Sequence, residues 1–202
     1  HPSIGAWVVY GLGCETDNLP AYIAMTDGIF RNGASMYTSG FLPAVYQGVD
    51  MRAEGTPIQN LHRQADIGAS EQRLLLDQIN DWNRKHRQSR PGDSRLDARI
   101  ANYELAFRMQ TAAPELIDLS GETKATRELY GIGAGPSDRF GKMCLMSRRM
   151  VERGVRYVQL ICGGWDAHDD CKGNHQSQSR KIDQPIAGLI DDLEQRGLLG
   201  ET

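Results

Sequence analysis

Asp166 and His168 stand two residues apart, just past Gly163 and Gly164, with Asp169, Asp170 and His175 close behind in the run GGWDAHDDCKGNH. A carboxylate and a neutral imidazole are donors that zinc, manganese and iron sites draw on, and three or more protein ligands are the norm. On a continuing strand Asp166 and His168 share a face, and in a turn they still converge on one ion. His175, with Asp169 or Asp170, then supplies the rest. The same residues also read as a solvated loop in which Asp166 caps a turn and His168 bonds the backbone.

The run that presents them is Val155 to Cys162, VRYVQLIC. It is rich in branched and aromatic residues and mostly apolar, the pattern of a strand buried on both faces of a parallel sheet. Two glycines end it, so the polar residues gather at its carboxyl end, where open α/β sheets bind ligands. Before it, Ser137 or Asp138 caps an expected helix with Phe140, Cys144, Ser147 and Val151 along one side, closed by Gly154. After it, a helix is expected over about 179–196, with Ile182, Ile186, Leu189 and Leu193 facing inward. Pro185 either kinks that helix or marks its first turn. Helix, strand, polar edge, helix is the order of a parallel α/β sheet joined by crossover helices.

Toward the N-terminus, Pro2 to Leu12 reads as a short helix ended by Gly13, and Ala21 to Met25 as a buried strand bounded by Pro20 and Asp27. Residues 28–60 show no sustained period and read as a long loop. A helix capped at Ser70-Glu71 is expected to run to about His86, with Leu75, Ile79 and Trp82 on one face at helical spacing. Arg90-Pro91-Gly92 breaks it, and a second follows with Leu96, Ile100, Tyr103 and Phe107, ended by Pro114. The two are expected to pair as a hairpin inserted at about 70–113 of a single partial α/β domain spanning 1–202. His62 and His86 read as surface residues and Cys144 as a core thiol. Glu115, Asp118, Asp191, Asp192 and Glu194 read as helix-end or solvated carboxylates.

Several function classes fall away. With 202 residues, 40% hydrophobic and 24% charged, the composition is that of a soluble globular protein. A net charge of -3, with basic residues spread among acidic ones, gives no footprint for nucleic acid. No apolar run approaches the roughly 20 residues needed to cross a bilayer. The four cysteines contain no CxxC pair, and no G-x-S-x-G elbow occurs for a serine hydrolase. His1 followed by Pro2-Ser3-Ile4 reads as an internal piece of a longer chain.

In order along the chain, HPSIGAWVVYGLG, NLPAYIAM, SGFLPAVYQG, NYELAFRMQ with APELIDLS, TRELYG, FGKMCLMSRRMVERGVRYVQL, GGWDAHDD with NH, and DQPIAGLIDDLEQRGLL resemble successive blocks of a bacterial sulfatase-like family, domain of unknown function 1501. The resemblance implies a partial alkaline-phosphatase-superfamily fold, α/β with a mainly parallel sheet and flanking helices. It implies a hydrolase of sulfate or phosphate esters, acting on a small molecule or a polysaccharide, and it matches Trp165, Asp166 and His168 to the family's Trp-Asp-x-His. Asp169 stands where the family pattern has glycine. A divalent metal, zinc, manganese or calcium, held by Asp166, His168 and His175, is the implied cofactor, and export to the periplasm the implied location. The nucleophile is expected outside this chain. The alternative is a non-catalytic binding or scaffold protein that keeps the fold.

Overall fold

The computed structural model describes residues 1–28, 33–55, 58, 66–91, 93–133 and 135–202. Among them the chain is α/β, with three parallel strands and six α-helices. Strands β1 (Tyr22–Thr26), β2 (Val49–Met51) and β3 (Tyr157–Ile161) lie in the order β2-β1-β3. β1 pairs in parallel with both, setting Ile23 against Val49 and Val158, and Met25 against Met51 and Leu160. β2 falls inside the stretch read from the sequence as loop. His62 falls outside the described residues, and no described helix is long and apolar enough to cross a membrane.

β1 is central, which explains why every one of its residues is buried. Its side chains alternate between two cores. Tyr22 and Ala24 pack with Val9 under helix α1 (Ile4–Leu12), while Ile23 and Met25 join Met143, Leu145, Met146 and Met150 of helix α5 (Asp138–Val151). Gly5 permits the close approach of α1, because a Cβ there would sit 2.5 Å from the Tyr22 ring and 2.6 Å from that of Tyr157.

β3 departs from expectation. It is an edge strand among the described residues, and its five residues are half-buried rather than enclosed on both faces. Its apolar character serves one pairing, with β1, and the wall of a groove of about 560 Å³ shared with Val8, Leu12, Val151, Leu189 and Leu193. Helix α6 (Cys171–Gln195) starts eight residues earlier than the sequence suggested. Asp170 accounts for this, accepting the Gly173 N–H at 3.0 Å as a side-chain cap. Pro185 is inside α6 and buried, taking the inward position read for Ile186, which is exposed.

Helices α2 (Ala69–Gln88) and α3 (Ser94–Ile117) form the hairpin. α3 runs through Pro114 to a cap at Asp118, since a proline in the last turn removes only the bond to the Gln110 carbonyl. In α2, Leu76, Asn80 and Asn83 are buried, while the stripe of Leu75, Ile79 and Trp82 is exposed.

A buried ion network locks α5 to α6 and to helix α4 (Lys124–Leu129). Arg148 contacts Glu152 at 2.8 Å, Glu122 at 3.0 Å and Asp192 at 3.0 Å with only 5% of its side chain exposed. Arg196 Nε donates to Asp192 Oδ1 at 2.7 Å and the Tyr130 hydroxyl to Oδ2 at 2.9 Å. Asp192 is therefore not the solvated carboxylate its helical neighbours suggested. Burial works against its charge, yet the bonds from Arg196 and Tyr130 and the charge of Arg148 outweigh it and hold the carboxyl below its usual range.

Candidate functional site at the carboxyl edge of the sheet

β1 and β3 end side by side, and the residues beyond them make the site. Asp27 follows β1: its backbone N–H donates to the Ile161 carbonyl at 3.1 Å, extending the ladder by one bond. Its carboxylate then turns across to β3. Oδ1 accepts the Gly163 N–H at 3.0 Å, and Oδ2 accepts the Cys162 thiol at 3.2 Å. Burial, joined by the adjacent Asp27 carboxylate, pushes the Cys162 thiol up to about 11, so it stays a proton donor and not a nucleophile at neutral pH.

Gly164 carries the turn at φ +89°, with Gln178 of α6 directly against it: a Cβ would lie 2.7 Å from Gln178 Nε2. Gln178 is buried, and its Oε1 accepts from Lys181 Nζ at 3.0 Å, which puts an ammonium group under the loop. Sequence reading passed over Asp27, Cys162, Gln178 and Lys181. The available signal was position alone, since Asp27 closes an apolar run just as Cys162 does.

Beyond this latch, Asp166 and His168 face each other, with Oδ1 and Nε2 3.1 Å apart. Both are open to solvent, at 76% and 81% side-chain exposure. Two donors that close can share one ion, since ligand distances of about 2.0–2.2 Å put neighbouring donors roughly 3 Å apart. His175 lies in the first turns of α6. Its Nδ1 donates to the Cys171 carbonyl at 2.8 Å, with Cys171 Sγ 3.4 Å away, and this bond leaves Nε2 as the lone-pair nitrogen. Trp165 bridges the two parts, half-buried, with its ring edge-on to His175 at 5.6 Å. Asp170 is occupied as the α6 cap, and Asp169 is exposed. Among the described residues no three His, Cys, Asp or Glu side chains come close enough together to hold a metal ion. The donors are thus a close pair, Asp166 and His168, with His175 oriented separately on the helix.

The family model described as Protein of unknown function (DUF1501) matches residues 1–202. The chain belongs to the DUF1501 family. No curated protein and no solved structure matches it. For this DUF1501 chain the local geometry is therefore the main guide: a carboxylate latch joining two parallel strands, an ammonium group behind it, and an Asp-His pair in front.

Proposed function

We propose that this chain forms the metal-binding edge of a metal-dependent hydrolase of sulfate or phosphate esters, with a sulfatase-like, alkaline-phosphatase-superfamily architecture and a place among exported proteins. The observation that carries the reading is the 3.1 Å approach of Asp166 Oδ1 to His168 Nε2, beyond the carboxyl end of β3. Asp166 and His168 are the ligands, and His175, its ring held by the Cys171 carbonyl with Nε2 free, is the third once the exposed loop carrying the pair closes toward it on binding the ion. A zinc, manganese or calcium ion there would polarise an ester oxygen and activate a nucleophile as a Lewis acid. The chain's own part is to hold the two donors together, fix the His175 tautomer, and keep Lys181 near the anionic group of the substrate.

The second reading is a binding or scaffold protein that retains the fold, and it draws on the donors coming as a pair among the described residues. One experiment separates the two. The full-length protein is purified, its bound metals are measured, and turnover of p-nitrophenyl sulfate and p-nitrophenyl phosphate is followed before and after chelation. The hydrolase reading expects stoichiometric metal and ester cleavage that chelation abolishes and metal restores. Metal-free protein whose melting temperature no divalent ion raises would leave the scaffold reading in its place.

A further inference from the structure

The α2–α3 hairpin holds a polar cluster in its seam, beside the buried Leu76. Across the seam Arg73 reaches Glu104 at 2.8 and 2.9 Å, the Asn80 amide also donates to Glu104, and Arg87 meets Asp97 at 2.7 Å. Outside, Leu75, Ile79 and Trp82 stand at i, i+4 and i+7, the spacing of one helical stripe, and Trp82 is 60% exposed. Leu75 and Ile79 also border a shallow groove with Tyr103 and Phe107 of α3. Among the described residues this face stays largely open to solvent, Trp82 most of all.

The two ends of the stripe carry opposite charge. Glu71 lies one turn before Leu75, in the first turn of α2, while Lys85 and His86 follow Trp82 in the last turn. Glu71 and Lys85 enter no ion pair among the described residues, whereas Arg73, Asp77, Asp81, Arg84 and Arg87 are paired within the hairpin. A stripe that is acidic at one end and basic at the other is complementary to its own copy turned end for end. Two-fold symmetry provides that arrangement, because the same patch then meets itself.

We infer that the outer face of α2 is a self-association surface, on which a second copy of this chain packs its own α2 antiparallel about a two-fold axis. The axis passes near Gln78 and Ile79, so Leu75 of one copy meets Trp82 of the other, and Glu71 meets Lys85 and His86 twice over. One helix face is narrow. The contact belongs to the class below about 1,200 Å², which predicts a dimer that dissociates on dilution.

Sedimentation velocity on the purified protein, from about 1 to about 200 µM, tests this. Wild type is expected to pass from monomer to dimer across that range. Ile79→Asp, at an exposed position, is expected to keep its circular dichroism and melting temperature and to weaken association by more than about ten-fold, about 1.4 kcal/mol. Glu71→Lys should weaken it about five-fold through two symmetry-related pairs, and adding Lys85→Glu should restore it. A monomer at every concentration overturns the inference, as does a dimer that Ile79→Asp leaves intact. Failure of the double charge swap to restore association overturns the antiparallel arrangement.

Discussion

The Cys162 thiol donates to Asp27 Oδ2 at 3.2 Å, tying the carboxyl ends of β1 and β3 together across 135 residues of chain. The bond shapes the candidate site, because the same carboxylate accepts the Gly163 N–H and so sets where the following loop departs. Asp27→Ala removes both acceptors and is expected to cost about 1–3 kcal/mol in chemical denaturation and, on the proposed metal site, to weaken zinc binding there.

Cysteine reactivity gives a second check. With its thiol pushed up to about 11, Cys162 is expected to alkylate with iodoacetamide far more slowly at pH 8 than exposed Cys14 and Cys171. Cys144, pushed by burial up to about 12, should react only on unfolding. Peptide mapping by mass spectrometry ranks the four sites. Labelling of Cys162 as fast as Cys171 would contradict the latch.

Neighbouring glycines isolate the effect of a positive φ and a close contact from that of simply adding a methyl group. Gly164→Ala combines φ +89° with a Cβ 2.7 Å from Gln178 Nε2, and is expected to cost about 1–3 kcal/mol. At Gly163 a Cβ meets only Asp27 Oδ1, at an ordinary 3.8 Å, so Gly163→Ala should stay within about 1 kcal/mol of wild type. Equal melting temperatures for the two variants would remove the argument.

Acid stability should report the ion network. Asp192 has a folded-state pKa below its unfolded value of about 3.9, so its stabilisation is complete above that pH and disappears as pH falls through the folded value. Asp192→Asn leaves Arg148 and Arg196 short of a carboxylate and is expected to lose about 3 kcal/mol at pH 7. Between pH 7 and pH 2 the gap between wild type and variant should narrow in urea titrations. A gap that stays constant across that range would show that the Asp192 charge contributes nothing.

Metal titration by calorimetry examines the Asp-His pair. Asp166→Asn and His168→Ala are each expected to weaken zinc binding by at least about ten-fold. Cys171→Ser keeps the carbonyl that accepts from His175 Nδ1, and should change affinity by less than about three-fold. If Asp166→Asn and His168→Ala both bind as wild type does, the ligands lie elsewhere.

The α/β class, the two strand runs beginning near residues 21 and 155, the hairpin, and the polar loop after Cys162 were all legible in the order of residues, because apolar periodicity and glycine breaks act over a few residues. Periodicity marks which faces are apolar, but not which apolar face finds a partner. On that second question the folded chain decided each outcome. β1, and not the longer Val155 run, took the centre of the sheet, because pairing on both edges buried it completely. α2 turned Asn80 toward Glu104 and left Trp82 outside, since the charged residues of the two helices compete with the apolar ones for the seam. Asp192 is buried because Arg148, Arg196 and Tyr130 converge on it from α5, α6 and the end of α4. Asp27 joined the site for the same reason. Its partners lie 135 and 136 residues away, a separation that only parallel register between β1 and β3 closes to hydrogen-bonding distance.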